Sequence, residues 1–164
     1  GWVPVAILVD SGRAALAAAL KNEVIHLAWG EGDPDWDDTP VQAPTDATAL
    51  VDEVGRKLAT VKAFCAPDEN GEIITDDGHF AYSETPTKYL LLRFSFDFED
   101  APTATIRELG VFMGTETDPG LPPGQTYFEG EEITSPGTLV TLERVTADPR
   151  SPTKRAIYEL VLEI

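Results

Sequence analysis

Residues able to do chemistry are concentrated in one acidic stretch. Glu31-Gly32-Asp33-Pro34-Asp35-Trp36-Asp37-Asp38 holds five carboxylates and no base. Asp33, Asp35 and Asp37 have the alternate spacing of a calcium loop, and clustered carboxylates repel unless a cation relieves them. An EF-hand also requires Gly at the sixth position and Glu at the twelfth. Asp38 and Pro44 stand there instead, so that motif fails. A solvated acidic turn or a partner contact accounts for the stretch without a metal, and no metal ligand is assigned.

Other chemistries find less support. Cys65 with His26 and His79 would be a thiol nucleophile and its base. Cys65, however, lies mid-strand on an apolar face, which predicts a small buried hydrophobe. One Cys and two scattered His make no zinc set. Asp97, Glu99 and Asp100, or Glu31 and Asp33, could be nominated as a hydrolytic carboxylate pair. In a chain with 29 acids such pairs arise by chance. No phosphate-binding glycine loop, nucleophile elbow or metalloprotease helix motif occurs. Gly110, inside a strand pattern, predicts a bulge or a close backbone approach. The sequence therefore assigns no catalytic residue and no cofactor.

The elements that would position these residues are mostly strands. Ala14–Leu20 lies in an alanine-rich helix over about Gly12–Lys21, with Asp10 or Ser11 as N-cap and Asn22 as stop. A second helix is predicted over Asp46–Val54, where Leu50 and Val54 are four apart and Gly55 follows. Strands are predicted over Glu23–Trp29, Lys57–Cys65, Tyr89–Phe98, Thr105–Met113, Thr138–Val145 and Ala156–Ile164. The clearest is Tyr89–Phe98, with Leu90, Leu92, Phe94, Phe96 and Phe98 on one face. Trp29 reads as core. Long loops fall at 30–44, 67–87 and 114–137. The expected fold is α+β: a mostly antiparallel sheet, two early helices packed on it, and a C-terminal β-hairpin arm. The expected organisation is a body at 1–113, a Pro/Gly-rich linker at 114–137 and the arm at 138–164.

Charge narrows the partners. The 164 residues carry 29 acids against 12 bases, a formal net charge of -17. Such a surface repels phosphate backbones and anionic lipid, which argues against nucleic acid and membrane partners. The apolar share is 42 %, as in a folded domain. A single Cys precludes an internal disulfide. No apolar run reaches the length of a membrane span. Pro4 and Asp10 interrupt the apolar start, which lacks the basic region of a signal peptide.

The order of three short motifs carries a resemblance. Leu27-Ala28-Trp29-Gly30-Glu31-Gly32 follows the alanine-rich helix. Ala49-Leu50-Val51-Asp52-Glu53-Val54-Gly55-Arg56 comes next, and then Ile106-Arg107-Glu108-Leu109-Gly110-Val111-Phe112. Over about residues 10–113 the chain resembles the N-terminal, baseplate-attachment domain of phage tail-collar fibre proteins. Trp29 departs from the family's aliphatic residue, and no fibre shaft or receptor-binding tip follows.

The resemblance implies a non-enzymatic baseplate component or tail-fibre adaptor in the virion tail, assembled in the host cytoplasm. It also implies contacts with other tail and baseplate proteins, and a homo-oligomer, with a trimer favoured. Expected interface residues are Trp36, Arg107, Glu108, Tyr127 and Phe128, because aromatics anchor interfaces and two opposite charges stand in an apolar strand. Rival readings are a carbohydrate- or cation-binding module at 31–38, a carboxylate-dependent hydrolase and a capsid decoration protein.

Overall fold

The computed structural model describes residues 1–164. In chain order the elements are α1 (Asp10–Lys21), β1 (Ile25–Gly30), η1 (Pro34–Asp37), β2 (Glu53–Leu58), β3 (Val61–Pro67), β4 (Ile73–Thr75), β5 (Gly78–Tyr82), β6 (Tyr89–Phe96), β7 (Thr105–Met113), β8 (Glu116–Thr117), β9 (Tyr127–Phe128), η2 (Gly130–Glu132), β10 (Ile133–Ser135), β11 (Thr138–Pro149) and β12 (Ala156–Glu163). The protein is thus mainly β, with a single α-helix, and the expected α+β fold with two early helices is corrected.

The second helix fails for a reason outside its own sequence. The N–H groups of Val51 and Asp52 donate to the Glu108 carboxylate at 2.9 and 2.8 Å. The Asp52 carbonyl accepts from Glu31 N–H at 2.9 Å. Helix formation would need those backbone groups, and so short a helix does not nucleate unaided. Leu50 buries its side chain against Ala28 and Phe112 instead. Glu53–Leu58 is strand, and Gly55 lies inside it opposite Trp29.

The chain packs as two compact units. One comprises residues 1–22, 61–93 and 159–164; the other comprises 23–60 and 94–158. In the first, α1 forms where alanine propensity is highest. Asp10 in its first turn and Lys21 in its last complement the helix dipole. Val9 is the N-cap and contributes no side-chain cap, and Asn22 closes the C-terminus as expected. β3 pairs antiparallel with β5 and β6, and β5 with β4. The β4–β5 hairpin lies inside the expected 67–87 loop. Its Ile73 and Phe80 pack with Cys65, Leu91 and Tyr89, which explains why this stretch is ordered as strand.

The second unit is built on β1. β7 lies on one side of it and β2 on the other, both antiparallel. β11 flanks β7 and β9 flanks β2, giving the order β11-β7-β1-β2-β9. β7 spans the residues expected of it. Gly110, opposite Ala28 and Leu142, leaves room for Leu50 and Leu139: a Cβ would stand 2.6 Å and 3.0 Å from their Cδ1 atoms. Ala28, Leu50 and Phe112 form the core there, with Leu139 and Leu142 packed against them. β8, β9 and β10 occupy the stretch expected to be a loop at 114–137.

The C-terminal hairpin arm is also corrected. β11 pairs with β7, whereas β12 flanks β6 in the other five-stranded sheet. Leu139 and Leu142 commit β11 to the β7 side. Beyond it Arg150 donates its N–H to the Ala104 carbonyl at 2.8 Å. The two strands do not pair with each other, because each finds its neighbouring strand elsewhere; the Tyr158 hydroxyl still donates to the Asp148 carboxylate at 3.3 Å.

Candidate interface and the buried charges behind it

The motif strands concentrate charge where it is least expected. Glu108 sits mid-strand in β7 and is fully buried. Both its oxygens are occupied by the Val51 and Asp52 N–H groups. Gly30 lies against it, and a Cβ there would come within 2.5 Å of Glu108 Oε2 and the Asp52 carbonyl. Gly30 is therefore the residue that lets carboxylate and loop meet. Glu108 is one of the expected interface residues, and within this chain its carboxylate is engaged by the 51–52 backbone. Glu108→Gln keeps the shape but sets an amide N–H₂ against a backbone donor. We expect a loss of about 3 kcal/mol in denaturant unfolding, with faster hydrogen exchange at Val51 and Asp52. Unchanged exchange at those two amides would contradict this role.

Arg107, the neighbouring residue, projects to the other face. Its guanidinium forks onto Asp37 at 2.9 and 3.0 Å and donates to the Glu31 carbonyl at 3.1 Å. The fork holds the Asp37 carboxyl below the usual range. The Glu31 carboxylate accepts from Thr105 N–H, and Asp33 caps Asp35 N–H. Glu31, Asp33 and Asp37 of the acidic loop are thus each engaged by a different donor. No group of three or more acidic, His or Cys side chains converges as a metal site requires. Trp36, half-buried on η1, covers Gly32, whose positive φ of 60° suits glycine. The Arg144 guanidinium stacks on the Trp36 ring at 4.0 Å.

Two basic residues that the sequence reading did not single out organise the rest of this unit. Arg56 is buried. It forks onto Glu53 at 3.0 and 2.7 Å, donates to Thr115 Oγ1 and the Pro136 carbonyl, and lies 4.0 Å over the Phe112 ring. Lys57 is buried as well; its Nζ reaches Asp100 at 2.7 Å and Asp97 at 3.1 Å. Arg150 donates to the Asp97 carbonyl at 3.0 Å and stacks over Trp29. Two consecutive bases directly after Gly55, inside a strand pattern of a base-poor chain, were the available signal.

Trp29 is fully buried. It stacks on Phe96 with ring centroids 3.7 Å apart, and its indole N–H donates to Tyr127 Oη at 2.9 Å. That hydroxyl also lies over Gly55, where no Cβ would fit. Burial pushes the Tyr127 hydroxyl pKa up, so it remains protonated. Phe128 is buried beside the His26 ring, edge-on at 5.7 Å. The two β9 aromatics expected at an interface therefore point largely into their own unit. Cys65 is buried in the first unit among Ile73 and Leu91, and burial raises its thiol pKa. A thiol held protonated in this way is a poor nucleophile.

A β scaffold whose motif charges hold loops in place is the anatomy of a structural module. The chain belongs to the family described as baseplate wedge 3 tail fiber network component, whose model matches residues 5–164. Membership makes it a bacteriophage baseplate and tail-fibre protein, with the virion tail as its location and other baseplate and tail proteins as its neighbours. The match runs well beyond residues 10–113, on which the resemblance to tail-fibre attachment proteins rested. No curated protein matches the chain in sequence.

Proposed function

We propose that the protein is a non-enzymatic adaptor of the baseplate, which fixes the tail-fibre network through protein–protein contacts in a homo-oligomer, a trimer by analogy with tail-fibre attachment domains. The observation that carries this reading is the family match over residues 5–164. The engagement of Arg107, Glu108, Arg56 and Lys57 inside the chain supports it. These residues brace loops, as a scaffold requires, and are not gathered in a cleft. The charge of -17 disfavours nucleic acid and anionic membrane as partners. Trp36 and Arg107 remain the expected interface residues with some surface to offer.

The test is assembly in an infected cell. Phage carrying a stop codon early in this gene should yield particles that lack attached fibres or fail to complete the baseplate. Supplying the protein in trans should restore them. Complete, fibre-bearing particles made without the protein would refute the proposal. An activity on cell-wall sugar or glycan abolished by a single Asp→Asn change would replace it.

A further inference from the structure

One apolar stretch has no cover. Residues 2–9, Trp-Val-Pro-Val-Ala-Ile-Leu-Val, carry no charge, and they precede α1 without regular secondary structure. Trp2 is 86 % exposed, Val5 95 % and Ile7 86 %. A near-continuous apolar run of this kind matches a strand buried on both faces. Left in water, it is the signature of a binding segment.

The second unit offers a seat for such a segment. β11 is the outer strand of its sheet, with β7 on one side. Beside residues 144–147 of β11 runs a groove of about 330 Å³, lined by Trp36, Pro40, Val41, Val145 and Ala147 among others. Arg144 bridges its two walls, donating from Nη1 to the carbonyls of Val41 and Gln42 at 2.7 and 3.0 Å. Its Nε is buried and has no acceptor. A buried donor left unmade is costly, and it lies in a residue that lines the groove.

We propose that residues 2–9 of one copy dock as an extended segment in the Trp36–Val41–Val145 groove along β11 of a second copy. This rests on the assembly reading above and names the contact between copies. Charge selects the occupant. Two bodies of net charge -17 repel, so copies associate best through an uncharged segment, and residues 2–9 are such a segment. Extended peptides beside an outer strand bind through backbone hydrogen bonds and apolar side-chain pockets. Pro4 lacks an N–H, which is tolerated in a strand paired on one side only. Donor and acceptor surfaces differ, so the contact is head-to-tail, and a threefold rotation between copies closes it into a trimer.

Light scattering on the chain of residues 1–164 tests this. The wild type should self-associate with rising concentration, whereas Ile7→Asp and, separately, Val41→Asp should remain monomeric. Both positions are exposed in the single chain, so neither change threatens folding. A fluorescent peptide of residues 1–10 should bind the Ile7→Asp chain at least tenfold more tightly than the Ile7→Asp/Val41→Asp chain. A monomeric wild type, or association that survives both changes, overturns the proposal. If the variants are incorporated into particles normally, the assembly reading stands and this contact falls.

Discussion

Replacing Lys57 by Met should cost about 3–5 kcal/mol, the usual penalty for removing one partner of a buried ion pair. In a chain of this size that lowers Tm by on the order of 10 °C. Met matches the length of the lysine stem and keeps its apolar contacts, so packing changes little. The charge left behind is the problem. Lys57 and Asp100 side chains are each only 5 % exposed, 2.7 Å apart. Without Nζ, the Asp100 carboxylate keeps one hydrogen bond, from Asp97 N–H at 2.7 Å. Arg150 does not replace the lost cation, because its Nη2 is directed at the backbone carbonyls of Asp97 and Asp100. Asp97 matters less: its side chain is 51 % exposed, and water screens such a pair.

A double-mutant cycle separates charge from packing. Lys57→Met/Asp100→Asn removes both charges and keeps an acceptor for the Asp97 N–H. The pair should be less destabilised than the sum of the single changes by about 2 kcal/mol, measured by urea unfolding. Strict additivity would mean that Lys57 acts through its stem alone.

What the sequence discloses depends on how far away each residue's partner lies. β6 is readable because its apolar alternation is local, and Trp29 reads as core because Leu27 and Ala28 beside it in β1 are apolar too. α1 is readable because alanine acts through its own backbone. The stretch Asp46–Val54 has a helical pattern just as local, yet its backbone donors are claimed by Glu108, 57 residues from Val51. Nothing within the stretch signals that claim. The late strands fail similarly. Thr138–Val145 and Ala156–Ile164 read as the two arms of a hairpin, but Leu139 and Leu142 fit the cluster at Phe112 and draw β11 to β7.

The site was legible in its motifs, but the intramolecular partners of those motifs were not. Arg107 and Glu108 stood out as charges in an apolar strand, and both have strong partners. Those partners are Asp37 and the 51–52 backbone of the same chain. A charged residue in a strand announces that a partner exists without saying on which molecule. The same holds for Tyr127 and Phe128, whose aromatic character suits an interface and a core equally.

His26 makes stability depend on acid. It is 2 % exposed, and burial, with the nearby Arg56 charge, lowers its pKa from 6.5 to about 4. Its Nδ1 is buried without a hydrogen-bond partner. The folded state thus holds the ring neutral, while the unfolded chain takes up a proton below about 6.5. Between those values the unfolded state binds more protons, so unfolding becomes easier as pH falls. The stabilisation from a neutral His26 is complete above pH 6.5, declines from there to about pH 4, and changes no further below. The shift corresponds to about 3 kcal/mol over that window. His26→Phe places a ring of similar shape beside Phe128 and cannot titrate. Urea unfolding at a series of pH values should then give a shallower decline for the variant, with the two curves diverging most between pH 6.5 and 4. Carboxylates add the same slope to both proteins, so the difference isolates the imidazole. Parallel curves would show that His26 is protonated in the fold at no cost, and that acid sensitivity arises among the 29 carboxyl groups instead.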